Sequence, residues 1–341
     1  MKYGMKTILI SMMLLSQPSH ALFVDQFTNR NTPIGDSVEI LNSQMQNLIN
    51  HSLDAANNGT YKCNEPFKSN SDKAGDFLFA ALRRQILDYP FDHFAEINKQ
   101  VAKKQTLFKD SIFVNVYSAP SLFNLGGKML DTQDVINIAG HQVTTKKLAR
   151  FLEDGFKLYK RQMATHQNGI EQTEKRSLSN AEKFVDGLGI ISYADHAASM
   201  AGYRFWLDLC GPSTIDGRCS PEKFISCNQQ TGQWIASAEF KFSDYIDDSW
   251  DEGINCSMYA ADISHPLTKN IQKVTGNNHL PCPVDPVKCF ELSSSKSKKY
   301  LSPICTSVAD KVKQALPAGL FTDYTYKPNA IKANSDSSGK K

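Results

Sequence analysis

The chain lacks every short motif that would name its chemistry. It has no G-x-S-x-G nucleophile elbow, no H-E-x-x-H helix, no P-loop and no G-x-G-x-x-G. Those absences remove α/β-hydrolases, zincins and nucleotide enzymes as favoured readings. No repeat period appears. There is no C-x-x-C pair and no closely spaced histidine pair, so a zinc site has no ligand set. Nothing implies a cofactor. An excess of charge is missing too, since the formal net charge is only +3. A near-neutral chain shows no electrostatic footprint for nucleic acid or an anionic membrane. No apolar run approaches the roughly 20 residues needed to cross a bilayer.

What is present starts at the N-terminus. Lys2 and Lys6 precede an apolar run over 8–15, and Ser19-His20-Ala21 fits a small-residue cleavage site loosely. A basic segment, a short apolar segment and such a site predict a secretory signal peptide over 1–21. The first cysteine is Cys63, so there is no lipobox. Cleavage would leave about 320 residues with a charge of about +1, enough for one large domain or two medium ones. The expected location is the periplasm or the extracellular space, with no integral membrane segment left.

Cysteine is scarce in the first half. Cys63 stands alone there, while Cys210, Cys219, Cys227, Cys256, Cys282, Cys289 and Cys305 all follow Leu209. An even number in an oxidising compartment predicts four disulfides, whose connectivity spacing does not fix. A local Cys282–Cys289 bridge would close the proline-rich loop between them. The asymmetry predicts a helical domain over 22–209, a cysteine-rich, loop-rich region over 210–327 and a disordered tail over 328–341. Asn58-Gly59-Thr60 and Asn255-Cys256-Ser257 match the N-glycosylation sequon, a short and common pattern to which no glycan is assigned.

Helical periodicity dominates. Val38, Leu41, Met45, Leu48, Ile49 and Leu53 recur at helical spacing and predict a helix over 37–56. A second is expected over 71–89, ended by Pro90, and a third over 91–107. The β-branched and aromatic run over 111–117 reads as a strand, as do 134–138 and 233–242. A further helix is expected over 243–256, with Tyr245, Ile246, Trp250 and Ile254 inward. Its Asp247, Asp248, Asp251 and Glu252 would form an acidic solvent face, since no EF-hand order is present. The fold class is mainly α with minor β.

The stretch 145–209 holds the strongest signals. Over 146–163, Leu148, Phe151, Leu152, Phe156 and Tyr159 share one face of an amphipathic helix, with Lys146, Arg150, Glu153, Asp154 and Lys157 opposite. Glu153 reads as a solvated partner of Lys157. Glu171 and Glu174 share a helix face, and as a pair they are ordinary surface carboxylates unless an apolar neighbourhood raises a pKa. Ser192-Tyr193-Ala194-Asp195 is a capping box. The helix it opens is apolar all round, so it is expected to be buried, with small residues admitting close neighbours. Asp195, His196 and Arg204 are then buried polar groups that require partners. Asp195 reads first as a cap, His196 as a satisfied core histidine, and Arg204 as a partner of Asp208.

Two functions follow. One is a binding or structural protein of the cell envelope, contacting an envelope glycan or protein through aromatics such as Tyr193, Trp206, Trp234, Tyr245 and Trp250, with Arg204 beside them. The other is a glycan-cleaving hydrolase or lyase using Glu153, Glu171 or Asp195 as acid, with His196 nearby. The carboxylates discriminate. Cleavage needs one facing a cleft, whereas binding leaves all three solvated, paired or capping.

Overall fold

The computed structural model describes residues 23–59, 62–64, 74–88, 100–116, 132–165, 171–173, 175, 177–178, 189–211, 219, 221, 223–277 and 281–313. The predicted signal peptide, the C-terminal tail, Glu174 and residues 91–99 lie outside them. The fold is mainly α with minor β. Among the described residues, no helix is long and apolar enough to cross a membrane.

Apolar spacing puts α1 (Val38–Asn57) on the core through Leu41, Met45, Leu48, Ile49 and Leu53. Its polar edge is also used. Asn42 and Gln46 accept from the Phe242 and Phe240 amides, and Asn57 bonds both main-chain groups of Trp234 at 2.8 Å. These amides hold the segment before residue 243 against α1. Next, α2 (Ala74–Arg83) runs into a π-helical turn at Arg84–Asp88 and buries Leu78, Leu82 and Ile86.

A small antiparallel sheet follows, in the order β1 (Lys103–Lys104), β2 (Val135–Ile138), β3 (His141–Thr144). Val135 faces Thr144 and Ile138 faces His141 across β2 and β3. The strand expected at 134–138 is therefore present, whereas β1 replaces the end of the third expected helix. The expected strand at 111–117 does not form over its described part, 111–116. Ile112, Phe113 and Val116 turn inward against Phe23 and Phe27 instead. Local bonds occupy the backbone there: Val114 to Ser111, Val116 to Phe113, and the Ile112 amide to the Asp25 carboxylate. Most of the donors that a ladder would need are thereby used.

The long helix of the central stretch forms as α3 (Thr145–Ala149), a π-helical turn (Arg150–Asp154) and α4 (Gly155–Thr165). It crosses α5 (Tyr193–Cys210), whose residues are nearly all buried, as its all-round apolar character requires. Gly155 and Gly202 meet at the crossing. A β-carbon on Gly202 would fall 1.8 Å from the Phe151 carbonyl oxygen. One on Gly155 would fall 2.4 Å from the Gly202 carbonyl carbon. Glycine at both positions lets the backbones touch. Phe151, Phe156, Phe205 and Trp206 pack around the contact.

Before α5 a two-residue strand, β4 (Ile190–Ile191), pairs with β7 (Met258–Tyr259), and β5 (Ile225–Asn228) pairs with β6 (Gln233–Ala236). The strand expected at 233–242 is thus shorter. The helix expected over 243–256 is absent. Two 3₁₀ turns, Phe242–Asp244 and Asp248–Trp250, precede a series of turns. Asp247 accepts from the Ser249 amide and Asp251 from the Gly253 amide. Such local side-chain bonds compete with the helix. Nor is the acidic set a solvent face, because Asp251 and Glu252 are buried against cations. Asn255 is fully buried. Its amide nitrogen donates to the Ser249 and Tyr300 carbonyls, and its oxygen accepts from the Ser302 amide.

Three further helices, α6 (Ala261–Thr275), α7 (Pro286–Leu292) and α8 (Pro303–Lys313), complete the described chain. Four disulfides form: Cys63–Cys227, Cys210–Cys219, Cys256–Cys282 and Cys289–Cys305. The local Cys282–Cys289 bridge is not made. Asp285 caps α7 with Pro286 in its first turn, so Cys289 sits on a helix and reaches α8.

Candidate functional site

The polar centre of the molecule is Lys147. Its side chain is fully buried, a rare state for lysine that requires partners. The ammonium bonds the Asp195 carboxylate, Glu252 Oε1 at 2.6 Å and Ser192 Oγ at 3.4 Å. Arg150 Nε and Lys146 Nζ each stand 3.1 Å from Asp195 Oδ2. Arg150 also pairs with Asp154 at 2.6 Å. Ser192 caps α5 by accepting from the Asp195 amide and donates to Glu252 Oε1 at 2.7 Å. The Glu252 amide donates to Gln26, whose own amide reaches the Gln142 carbonyl. One connected network therefore joins the N-terminal segment, β3, α3, α5 and the turns before β7.

Charge inside this network is balanced. Burial alone would lower the Lys147 pKa, but Asp195 and Glu252 outweigh it and hold the ammonium above the ordinary lysine value. Burial would raise Asp195, but Lys146, Lys147 and Arg150 hold it well below the carboxylate range. Neither group is poised to exchange a proton near neutrality. The cluster fastens five segments.

His196 lies one residue along α5 and belongs to a different environment. Burial drives its pKa down to about 4, so the ring is neutral at physiological pH. Its Nδ1 is 2.8 Å from Ser177 Oγ, and its ring meets Tyr300 edge-on at 5.4 Å. Beside it opens a cleft of about 480 Å³, also lined by Tyr193. That volume falls within the roughly 300–1,000 Å³ of small-molecule sites. A larger, more polar cleft of about 920 Å³ includes Arg30 and Lys288. Both of those cations are already committed, Arg30 to Asp251 and Lys288 to Asp248, each at 2.6 Å.

The remaining candidates divide. Glu153 is partly exposed, 3.9 Å from Lys157, as its helical spacing predicts. Glu171 is exposed beside Lys175 at 3.0 Å, and that pairing lowers its pKa. Neither carboxylate is among the residues lining the two clefts. Of the capping box, the Ser192 half forms, while the Asp195 carboxylate serves the cations. Arg204 does not take Asp208. Asp208 accepts from the Tyr245 hydroxyl at 2.5 Å and from Lys223 at 3.0 Å. Trp206 and Trp250 are core residues, and Trp206 donates to the Leu152 carbonyl. Among the sequence candidates, Tyr193 and His196 alone line the His196 cleft.

Sequence reasoning missed Lys147 and Glu252. One signal was available for Lys147: it lies four residues before Phe151, on the stripe that leads into the core. Among the described residues no group of three or more His, Cys, Asp or Glu side chains is placed to hold a metal ion. No protein-family model, no curated protein and no solved structure matches this chain.

Proposed function

We propose that this is an exported binding protein of an extracytoplasmic space, the periplasm or cell envelope, whose partner is an envelope glycan or an envelope protein. One observation carries the choice of binding over cleavage. The three carboxylates offered as a catalytic acid are each tied to cations: Glu153 to Lys157, Glu171 to Lys175, Asp195 to Lys146, Lys147 and Arg150. A general acid needs a raised pKa, and Glu171 and Asp195 are moved the other way. The cleft beside His196 supplies a place for a ligand, and none of those three carboxylates lines it. Four disulfides fit an oxidising compartment.

The test is incubation of the purified chain, lacking residues 1–21, with isolated envelope glycan. Co-sedimentation without new reducing or anhydro ends by mass spectrometry is expected. New ends that disappear in Glu153→Gln or Glu171→Gln would replace binding by cleavage. Failure to sediment would remove glycan as the partner.

A further inference from the structure

We infer that the cleft between α5 and α8 is a binding site for one uncharged, hydroxyl-rich sugar ring, a reading that rests on the binding function proposed above. Its described lining is of two kinds. Leu178, Leu301 and the Tyr193 ring give an apolar surface suited to the C–H face of a pyranose. Thr306, Ser307 and Asp310 of α8 line the same cleft and follow one another at helical spacing. Two hydroxyls and a carboxylate at that spacing suit a row of ring hydroxyls. A hydroxyl donating to a carboxylate makes a charge-assisted bond, roughly twice as strong as a neutral one.

His196 supplies the remaining polar contact. A neutral imidazole carries one N–H and one lone pair. Ser177 engages Nδ1, which leaves Nε2 to meet a ligand. Because the Ser177 hydroxyl can donate or accept, the pair suits a sugar hydroxyl in either role.

The charges argue against other ligands. Lys299 stands in the same cleft as Asp310 and lies close enough to Glu171 to influence its pKa, so the charges of the described lining balance and do not favour a phosphate or carboxylate. A fatty chain would leave Asp310, Thr306 and Ser307 facing methylenes, with their hydrogen bonds to water lost.

Saturation-transfer NMR and calorimetry on the chain lacking residues 1–21 test this. The probes are di-N-acetylchitobiose and maltose as neutral sugars, glucose 6-phosphate as the anion and decanoate as the apolar chain. Binding of a neutral sugar is expected. Asp310→Ala should weaken it about tenfold or more. Asp310 is exposed, so the variant keeps the fold, checked by circular dichroism. Glu153→Gln should leave binding unchanged. The inference is overturned if neither neutral sugar binds, if Asp310→Ala and Ser307→Ala bind as well as the parent, or if glucose 6-phosphate or decanoate is preferred. Sedimentation with envelope glycan separates the two levels. If the Asp310→Ala chain sediments as the parent does, the binding function stands and this cleft is not its site. If the parent itself does not sediment, glycan binding as a whole fails.

Discussion

Replacing Lys147 by methionine isolates the contribution of the buried ionic cluster. Methionine keeps the length and apolar stem of lysine and removes only the ammonium. Two carboxylates lose their closest cation, but unequally. Asp195 retains Lys146 and Arg150, both at 3.1 Å. Glu252 retains the Ser192 hydroxyl at 2.7 Å and the buried site around it. Removing one partner of a buried pair costs about 3–5 kcal/mol, because the other charge is left without compensation. Lys147→Met should therefore lose about that much, with Glu252 carrying most of it. A second change discriminates. Adding Glu252→Gln removes the stranded charge and should restore about 1–3 kcal/mol, a coupling typical of residues in direct contact. Adding Asp195→Asn should restore little, because it also takes a carboxylate from Lys146 and Arg150. Urea unfolding with disulfides intact, followed by the fluorescence of buried Trp206 and Trp250, gives each free energy. The pH dependence has a definite sign. Asp195 is depressed when folded, so its contribution is present above its unfolded value near about 4 and is lost as pH falls through the folded value. Lys147 is raised, so its contribution is complete below about 10 and is lost as pH rises through the folded value. The cost of Lys147→Met should thus be flat between about pH 5 and 9. A loss below about 1 kcal/mol, or equal rescue by the two second changes, would refute the reasoning.

Two other outcomes follow from packing and burial. Gly202→Ala places a methyl 1.8 Å from the Phe151 carbonyl and must part the helices. It should cost about 3 kcal/mol by urea unfolding, despite alanine's better helix propensity, and a neutral or stabilising result would show that the crossing is not tight. His196 is held near pH 4 when folded against about 6.5 unfolded, so the unfolded chain binds more protons between those values. Stability should fall by up to about 3 kcal/mol as pH drops through that window. His196→Gln should flatten the profile there, and an unchanged profile would assign the loss to another group.

Legibility followed the range of the interactions involved. Helix α1, the strand β2 and the buried character of α5 were all readable, because each depends on periodicity within a few residues. The small residues of α5 also announced a close crossing, and Gly202 delivers it. The segment 243–256 misled because four acids at helical spacing look the same whether they face water or a buried lysine. What decides is Lys147, 105 residues away from Glu252, and no local pattern contains that contact. The run 111–116 failed for a related reason: its apolar residues pack on Phe23 and Phe27, far away in the chain. At the candidate cleft, His196 is readable as a polar group on a buried helix and Tyr193 as an aromatic contact beside it. The α8 residues that share the cleft with them are not, because nothing in the sequence says that α8 comes back to α5.

Asn255 has a consequence for how this protein can be made. Its sequon is complete, yet the amide is sealed in the interior, donating to the Ser249 and Tyr300 carbonyls. An oligosaccharide joined to that nitrogen would replace one donor hydrogen and would need room that the folded chain does not have. In a eukaryotic secretory host the modifying enzyme meets the chain before it folds. Every molecule modified at Asn255 would then be committed to a form unable to close around Ser302. Production in a host without that modification, or with Ser257→Ala to erase the signal while keeping Asn255, avoids the conflict.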